Sequence, residues 1–220
     1  CKTKRDASGT TCDGSCHGKM SYLVYINGNL VPAEQAKISV FDAAYLYGEG
    51  LFETLSAIDG HILFLKDHLQ RLYRGARALK IPIPLTQQKL ATAVHETLRA
   101  NQLRDAYLRI NISAEESDVG KRHRCASEAH IVIFANPPDP YPHSLYRKGC
   151  RLILIRSVTN DSAQIATLKT TNYLAKVVAR REIATRGADE GILLNAKGFV
   201  TECAGSNLFL VKRNALATPP

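Results

Sequence analysis

Apolar positions along the chain change their spacing several times, and each change marks an element. In 21–32 two short apolar runs, Tyr22-Leu23-Val24-Tyr25-Ile26 and Leu30-Val31-Pro32, flank Asn27-Gly28. That pattern predicts a β-hairpin, because a two-residue hairpin turn needs positive φ and the Asn-Gly pair supplies it most readily. Leu65, Leu69, Leu72, Ala76 and Leu79 then recur at intervals of four and three, which predicts an amphipathic helix over about 64–80, closed by Ile81-Pro82. Leu90, Val94, Thr97 and Leu98 mark a second helix over about 86–101, with Thr86 as its N-cap. Alternation of period two follows. In 105–113 Leu108 and Ile110 face one way, Tyr107 and Arg109 the other, and 130–135 supplies a strand to pair with it.

Between these segments the glycines of 39–55 predict a loop that bends before a strand, with aromatics placed to line a cleft. Four prolines in the seven residues 136–142 exclude regular helix or sheet and read as a linker. Beyond it come a strand at 151–157, a helix at 172–186 ended by Gly187, a hairpin of 191–195 with 199–202, and a strand at 208–211. The chain therefore divides into a small α+β domain over 20–135, the linker 136–142, and a β-rich domain over 143–220. No internal repeat and no glycine-rich nucleotide motif is present.

Composition changes this picture little. A chain of 220 residues suffices for one large domain or two modest ones. The net charge of +9 is spread along the sequence without a basic block, so it reads as solvated surface and not as a nucleic-acid footprint. No apolar run approaches the roughly 18 residues of a membrane helix and no signal-peptide core follows the polar start, so the expectation is a soluble, cytoplasmic protein. Six cysteines at 1, 12, 16, 125, 150 and 203 make no disulfide framework. Cys12, Cys16 and His17 are one residue too widely spaced for Cys-x-x-Cys-His and leave a tetrahedral metal one ligand short, so no metal site is expected. Residues 1–19 precede the one methionine, Met20, and read as a disordered or non-native extension.

The chemistry concentrates in 169–207. Lys169 follows the weakly charged Ile165-Ala166-Thr167-Leu168, and Glu202 stands where a strand meets a small-residue turn. The ordered string Lys169-x-x-Asn172-Tyr173-Leu174, Gly187-Ala188-Asp189-Glu190, Gly198-x-Val200-x-Glu202, Ser206-Asn207-Leu208-Phe209 resembles the class IV, fold-type IV aminotransferases that carry pyridoxal 5′-phosphate. That family includes branched-chain aminotransferases, D-amino-acid aminotransferases and aminodeoxychorismate lyases. The resemblance covers about 21–220 and implies a two-domain α+β fold. It casts Lys169 as the Schiff-base lysine and proton carrier, and Glu202 as the carboxylate that keeps the pyridine nitrogen protonated.

The same resemblance extends to other positions. Arg71, in His68-Leu69-x-Arg71-Leu72, would hold the cofactor phosphate, a task suited to a forked guanidinium. Tyr173 would sit near the ring oxygen, and Asn207 joins the cofactor-binding set. Tyr47 and Phe52, in Tyr47-Gly48-x-x-x-Phe52-Glu53, would wall the substrate pocket. Tyr107 and Arg109, with Ser117-Asp118-Val119-Gly120 after them, look like the branched-chain enzymes' acceptors of the substrate carboxylate. Taken alone, Arg71 is a solvated helix arginine and Arg109 an edge-strand arginine facing water. Two departures bear on the substrate. Ala114-Glu115-Glu116 stands where many relatives place an arginine and a glycine, and Tyr173 follows Lys169 by four residues where branched-chain enzymes often have five.

The implied activity is transfer of the amino group of a branched-chain or otherwise apolar L-amino acid to 2-oxoglutarate by a homodimer or higher homo-oligomer. The alternatives are an aminodeoxychorismate lyase, a D-amino-acid aminotransferase, or an inactive remnant. The last arises because relatives continue past the position of Pro220 with a further phosphate-binding turn.

Overall fold

The computed structural model describes residues 22–114, 128–159 and 168–219. The cysteine-rich start and the Ser117-Asp118-Val119-Gly120 string lie outside the described residues. The first strands, β1 (Leu23–Ile26) and β2 (Asn29–Pro32), pair antiparallel across Asn27 and Gly28, whose φ angles of 46° and 98° are the positive values that turn requires. Next come α1 (Ala43–Tyr47), β3 (Gly50–Ile58), β4 (His61–Ile62), α2 (Leu65–Leu79), α3 (Gln87–Ala100), β5 (Ala106–Ala114) and β6 (Ala129–Asn136). Their strands form one antiparallel sheet in the order β2-β1-β6-β5-β3-β4.

Period-two alternation fixes what each face of this sheet carries. Leu51, Leu55, Leu108, Ile110 and Ile112 point to the side covered by α2 and α3, where they meet Leu69, Leu72, Ala76, Leu90, Val94 and Leu98 in one buried cluster. Phe52, Thr54, Asn111 and Arg109 point to the opposite face, with Phe52 paired to Asn111 and Thr54 to Arg109 in the register. Thr86 caps α3 as its sequence predicts, its hydroxyl accepting from the Lys89 N–H at 3.3 Å. Asn101, just past α3, ties the helix to β1 by bonding both the N–H and the C=O of Leu23.

Where the sequence pattern predicts only a bent loop, the chain inserts the five-residue α1. Asp42 accepts from the N–H groups of Ala44 and Tyr45 at its start, and Gly48, at φ 72°, ends it in the left-handed conformation. A helix this short shows no periodicity, so its two caps were its only signal. Asp42 is buried, and its second oxygen accepts from the Ser113 hydroxyl and lies 3.2 Å from His130 Nδ1, which satisfies a carboxylate that would otherwise be costly to bury.

Residues 137–142 carry no regular element. They lead to α4 (His143–Lys148), β7 (Leu152–Thr159), α5 (Leu174–Thr185), β8 (Glu190–Leu194), β9 (Val200–Cys203), β10 (Leu210–Lys212) and β11 (Ala215–Ala217). Strands β7 and β8 are parallel and adjacent, a pairing that needs a crossover, and α5 provides it. Ala179 and Ile183 of α5 pack on Ile153, Ile155, Leu193 and Ala204. The expected hairpin forms as β8 with β9, and β10 pairs with β11 in a separate ribbon. Among the described residues no helix is long and apolar enough to cross a membrane.

Candidate active site

The site begins with backbone geometry. β4 pairs only with the far end of β3, which leaves one edge of Gly50–Phe52 free, and the 169–171 segment fills it. The Phe52 N–H donates to the Lys169 carbonyl and the Thr171 N–H to the Gly50 carbonyl, both at 2.9 Å. The Thr171 hydroxyl adds a bond of 3.0 Å to the Gly48 carbonyl. So close an approach dictates glycine at position 50. A Cβ there would lie 2.8 Å from the Ile112 carbonyl oxygen and 2.9 Å from Thr171 Oγ1. The Gly48-Glu49-Gly50 string therefore serves as the dock for the lysine segment.

Phe52 is buried at the centre of what this docking assembles. Lys169 Nζ lies 4.5 Å from its ring centroid and Arg109 Cζ 3.8 Å, while the Tyr173 ring meets it edge-on at 5.5 Å. Arg109 is steadied by a bond from its Nε to Asn111 Oδ1 at 2.9 Å. On the helix side of the same strand stands Glu53, fully buried among the core positions. Arg71 grips it through Nε and Nη2, each at 2.6 Å, and His68 Nδ1 lies 2.8 Å from Oε2. Among the described residues Nη1 of Arg71 carries no bond, so the guanidinium is aimed by Glu53 with donors to spare.

Electrostatics at Lys169 follow from this crowding. Burial pushes its pKa below the ordinary lysine value. Glu53 pulls it partly back, and Arg71, Lys176 and Arg109 press it further down. A half-buried amine with lowered basicity among cations can act as nucleophile or base nearer neutral pH than a free lysine, in a pocket that attracts anions. Glu202, on β9, is bound by Lys176 Nζ at 2.6 Å, and Lys176 also lies 5.2 Å over the Tyr173 ring.

Six residues picked out from the sequence thus lie in one connected neighbourhood: Lys169, Phe52, Arg109, Tyr173, Arg71 and Glu202. Tyr107 lies two residues from Arg109 on the same strand face, 36% exposed, and Tyr47 ends α1 at 50% exposed. Asn207 is elsewhere, lining a cavity of about 450 Å3 with Tyr141, Cys150, Glu190, Cys203 and Phe209. Sequence reasoning gave no role to Glu53 or Lys176. Glu53 did leave a signal, since it falls in register with Leu51 and Leu55, and a carboxylate at a core position requires cationic partners. Lys176 left only its place one turn after Tyr173.

Comparison with known proteins is consistent along the chain. A family model described as amino-transferase class IV matches residues 50–220. A putative branched-chain-amino-acid aminotransferase of Methanocaldococcus jannaschii is 42% identical over 199 residues, which is 90% of this chain and 68% of that protein. The aminodeoxychorismate lyase of Bacillus subtilis is 32% identical over 199 residues, 90% of this chain and 67% of that protein. Among solved structures, the branched-chain aminotransferase of the thermophilic archaeon Thermoproteus uzoniensis with norvaline superposes with a TM-score of 0.81 at 34% identity, covering 91% of this chain and 68% of that one.

Proposed function

We propose that the chain, which belongs to the class IV aminotransferase family of pyridoxal-phosphate enzymes, transfers the amino group of an apolar, branched-chain L-amino acid to 2-oxoglutarate, with Lys169 as the covalent anchor. The observation that carries this reading is Lys169 itself, an amine of lowered basicity pinned by backbone bonds to β3 and flanked by Phe52, Arg71, Arg109 and Lys176.

The donor set fits the cofactor. One nucleophilic amine, a guanidinium with unused donors, two aromatic rings and a carboxylate on a neighbouring strand match an aldehyde, a phosphate, a flat ring and a basic ring nitrogen. Bound here, pyridoxal phosphate would supply the aldehyde that takes up amino groups and the ring that accepts the electron pair released at the α-carbon. Lys169 Nζ would hold it and, once released, would serve as the base for the substrate's α-proton. Glu202 would be the carboxylate for the ring nitrogen. Arg71 would hold the phosphate through the donors Glu53 leaves free. Tyr173 would serve the ring oxygen. Arg109 and Tyr107 would receive the substrate carboxylate, and Tyr47 and Phe52 would wall the side-chain pocket; Asn207, which lines the separate cavity, is given no contact with the cofactor.

The division of the chain at 136–142 and assembly with a second copy belong to the same reading. Exposed Ile38, Val40, Phe41, Tyr45 and Tyr47, grouped within residues 38–47 ahead of β3, support the assembly.

A lyase reading is favoured by the B. subtilis relative and by the four-residue step from Lys169 to Tyr173. Assaying L-leucine with 2-oxoglutarate, D-alanine with 2-oxoglutarate, and aminodeoxychorismate side by side separates these. Glutamate formed from L-leucine is the expected result. Pyruvate and p-aminobenzoate from aminodeoxychorismate, with no amino transfer from L-leucine, would replace this reading with the lyase.

A further inference from the structure

Arg109 is held on two sides, and those two contacts decide what it has left to offer. Its Nε donates to Asn111 Oδ1 at 2.9 Å, and its Cζ lies over the Phe52 ring, 3.8 Å from the centroid, so the planar group rests on the ring. The strand register explains both contacts. Arg109 and Asn111 are two residues apart on β5 and share a face, and across the ladder Asn111 stands opposite Phe52 and Arg109 opposite Thr54. We infer that Asn111 is a positioning residue for substrate selection: it occupies the Nε side of the Arg109 guanidinium and directs a carboxylate to the Nη1–Nη2 edge, where it binds end-on. This rests on the reading of Arg109 as acceptor of the substrate carboxylate given above.

A guanidinium takes a carboxylate through two parallel N–H···O bonds, along either its Nε–Nη2 edge or its Nη1–Nη2 edge. In Arg109 the first edge has given its Nε donor to Asn111. Arg71 shows the contrasting arrangement. There Glu53 takes Nε and Nη2 together, at 2.6 Å each, so the group that aims the guanidinium also cancels its charge. Asn111 aims Arg109 with a neutral amide instead. Among the described residues Arg109 is ion-paired with no carboxylate, so its charge is left for an incoming anion. Fixing the long side chain beforehand also removes an ordering cost that binding would otherwise carry. Lys169 Nζ lies 4.5 Å from the centroid of the same Phe52 ring, so the amine and the carboxylate seat share one wall of the pocket.

The test is labelling of the 220-residue chain with phenylglyoxal, which bridges the two Nη atoms of an arginine, read at the Arg109 and Arg71 peptides by mass spectrometry. Either 4-methylpentanoate, an apolar carboxylate, or inorganic phosphate is titrated in as the protecting anion. In the parent, 4-methylpentanoate protects Arg109 and phosphate protects Arg71. In Asn111→Leu, which fills the space without an acceptor, the 4-methylpentanoate concentration that half-protects Arg109 rises about tenfold, the worth of one hydrogen bond. In Asn111→Asp, which keeps the acceptor and sets a negative charge beside the seat, it rises about fivefold or more. Phosphate protection of Arg71 stays within about twofold of the parent in both. Both replacements match asparagine in size and leave the buried face of β5 untouched, so both variants fold. An unchanged half-protection of Arg109 in either variant overturns the inference. So does a loss of Arg71 protection as large as the loss at Arg109, because it makes the effect a general one on the pocket. No protection of Arg109 in the parent removes the reading of Arg109 as carboxylate acceptor. Protection equal in the parent and both variants leaves that reading standing and removes the role of Asn111 alone.

Discussion

The two halves of the chain are built to different densities, and the site takes unlike parts from each. The six-stranded sheet is covered by α2 and α3 over a continuous buried cluster that runs from Tyr25 to Ala135. In the β7-α5-β8-β9 unit the buried cluster is Ile153, Ile155, Ala179, Ile183, Leu193 and Ala204, and β10 and β11 are exposed along their whole length. The dense half supplies the groups whose geometry must not drift: Phe52, Arg109, and Arg71 clamped on Glu53. The sparser half supplies Lys169, Tyr173, Lys176 and Glu202, and its lysine is registered by hydrogen bonds to β3. A reactive amine can thus lie on a lightly packed segment and still be held to a rigid frame.

Truncations in the two cores test the contrast most strongly. Ile110→Ala, at a fully buried position between β3 and β6, is expected to cost about 4 kcal/mol, and Ile183→Ala on α5 about 2 kcal/mol because its surroundings can collapse. Equal losses by denaturant titration would break the comparison. Arg71→Ala takes both guanidinium bonds from the buried Glu53 carboxylate and leaves it to His68. Its cost is about 2–3 kcal/mol, less than for a fully enclosed pair because the Arg71 side chain is 45% exposed. Adding Glu53→Leu should recover most of that loss, since the buried charge goes with it.

Gly50→Ala attacks the joint between the halves. The new Cβ would sit 2.9 Å from Thr171 Oγ1, so the Lys169 segment must shift, at about 1–2 kcal/mol in stability and a larger proportional loss in transamination. The smallest effect is a dependence on pH. The proton affinity of Lys169 is lowered in the fold, so the unfolded chain binds the extra proton between the folded value and the ordinary 10.5. Charged Lys169 therefore costs stability below that window, and the cost fades as pH rises through it. Lys169→Met should melt higher than the parent at pH 7, with the difference closing as pH approaches 10.5.

How much of this was readable beforehand divides along physical lines. The Asn27-Gly28 hairpin, α2, α3, β5 and the β8–β9 hairpin were legible because their signals are local: turn chemistry, the spacing of leucines, or strict alternation. The helix α1 was not, since five residues are too few for a period. Nor was the parallel pairing of β7 with β8, because no local pattern states which strands meet across a crossover. At the site, the resemblance carried by the ordered motifs pointed to Lys169, Glu202 and Arg71, where residue type alone would leave Arg71 a solvated helix arginine. Their immediate partners did not follow. That Arg71 is clamped by Glu53, and that Lys176 reaches Glu202, depend on β3 meeting α2 and on α5 meeting β9, contacts made only when the chain packs.

The most direct test of the central claim is reduction of the chain with borohydride after incubation with pyridoxal phosphate, followed by peptide mapping. The account predicts a single dominant label on Lys169, lost in Lys169→Ala. A label carried chiefly by Lys176, or spread over surface lysines with Lys169 unmodified, would contradict it.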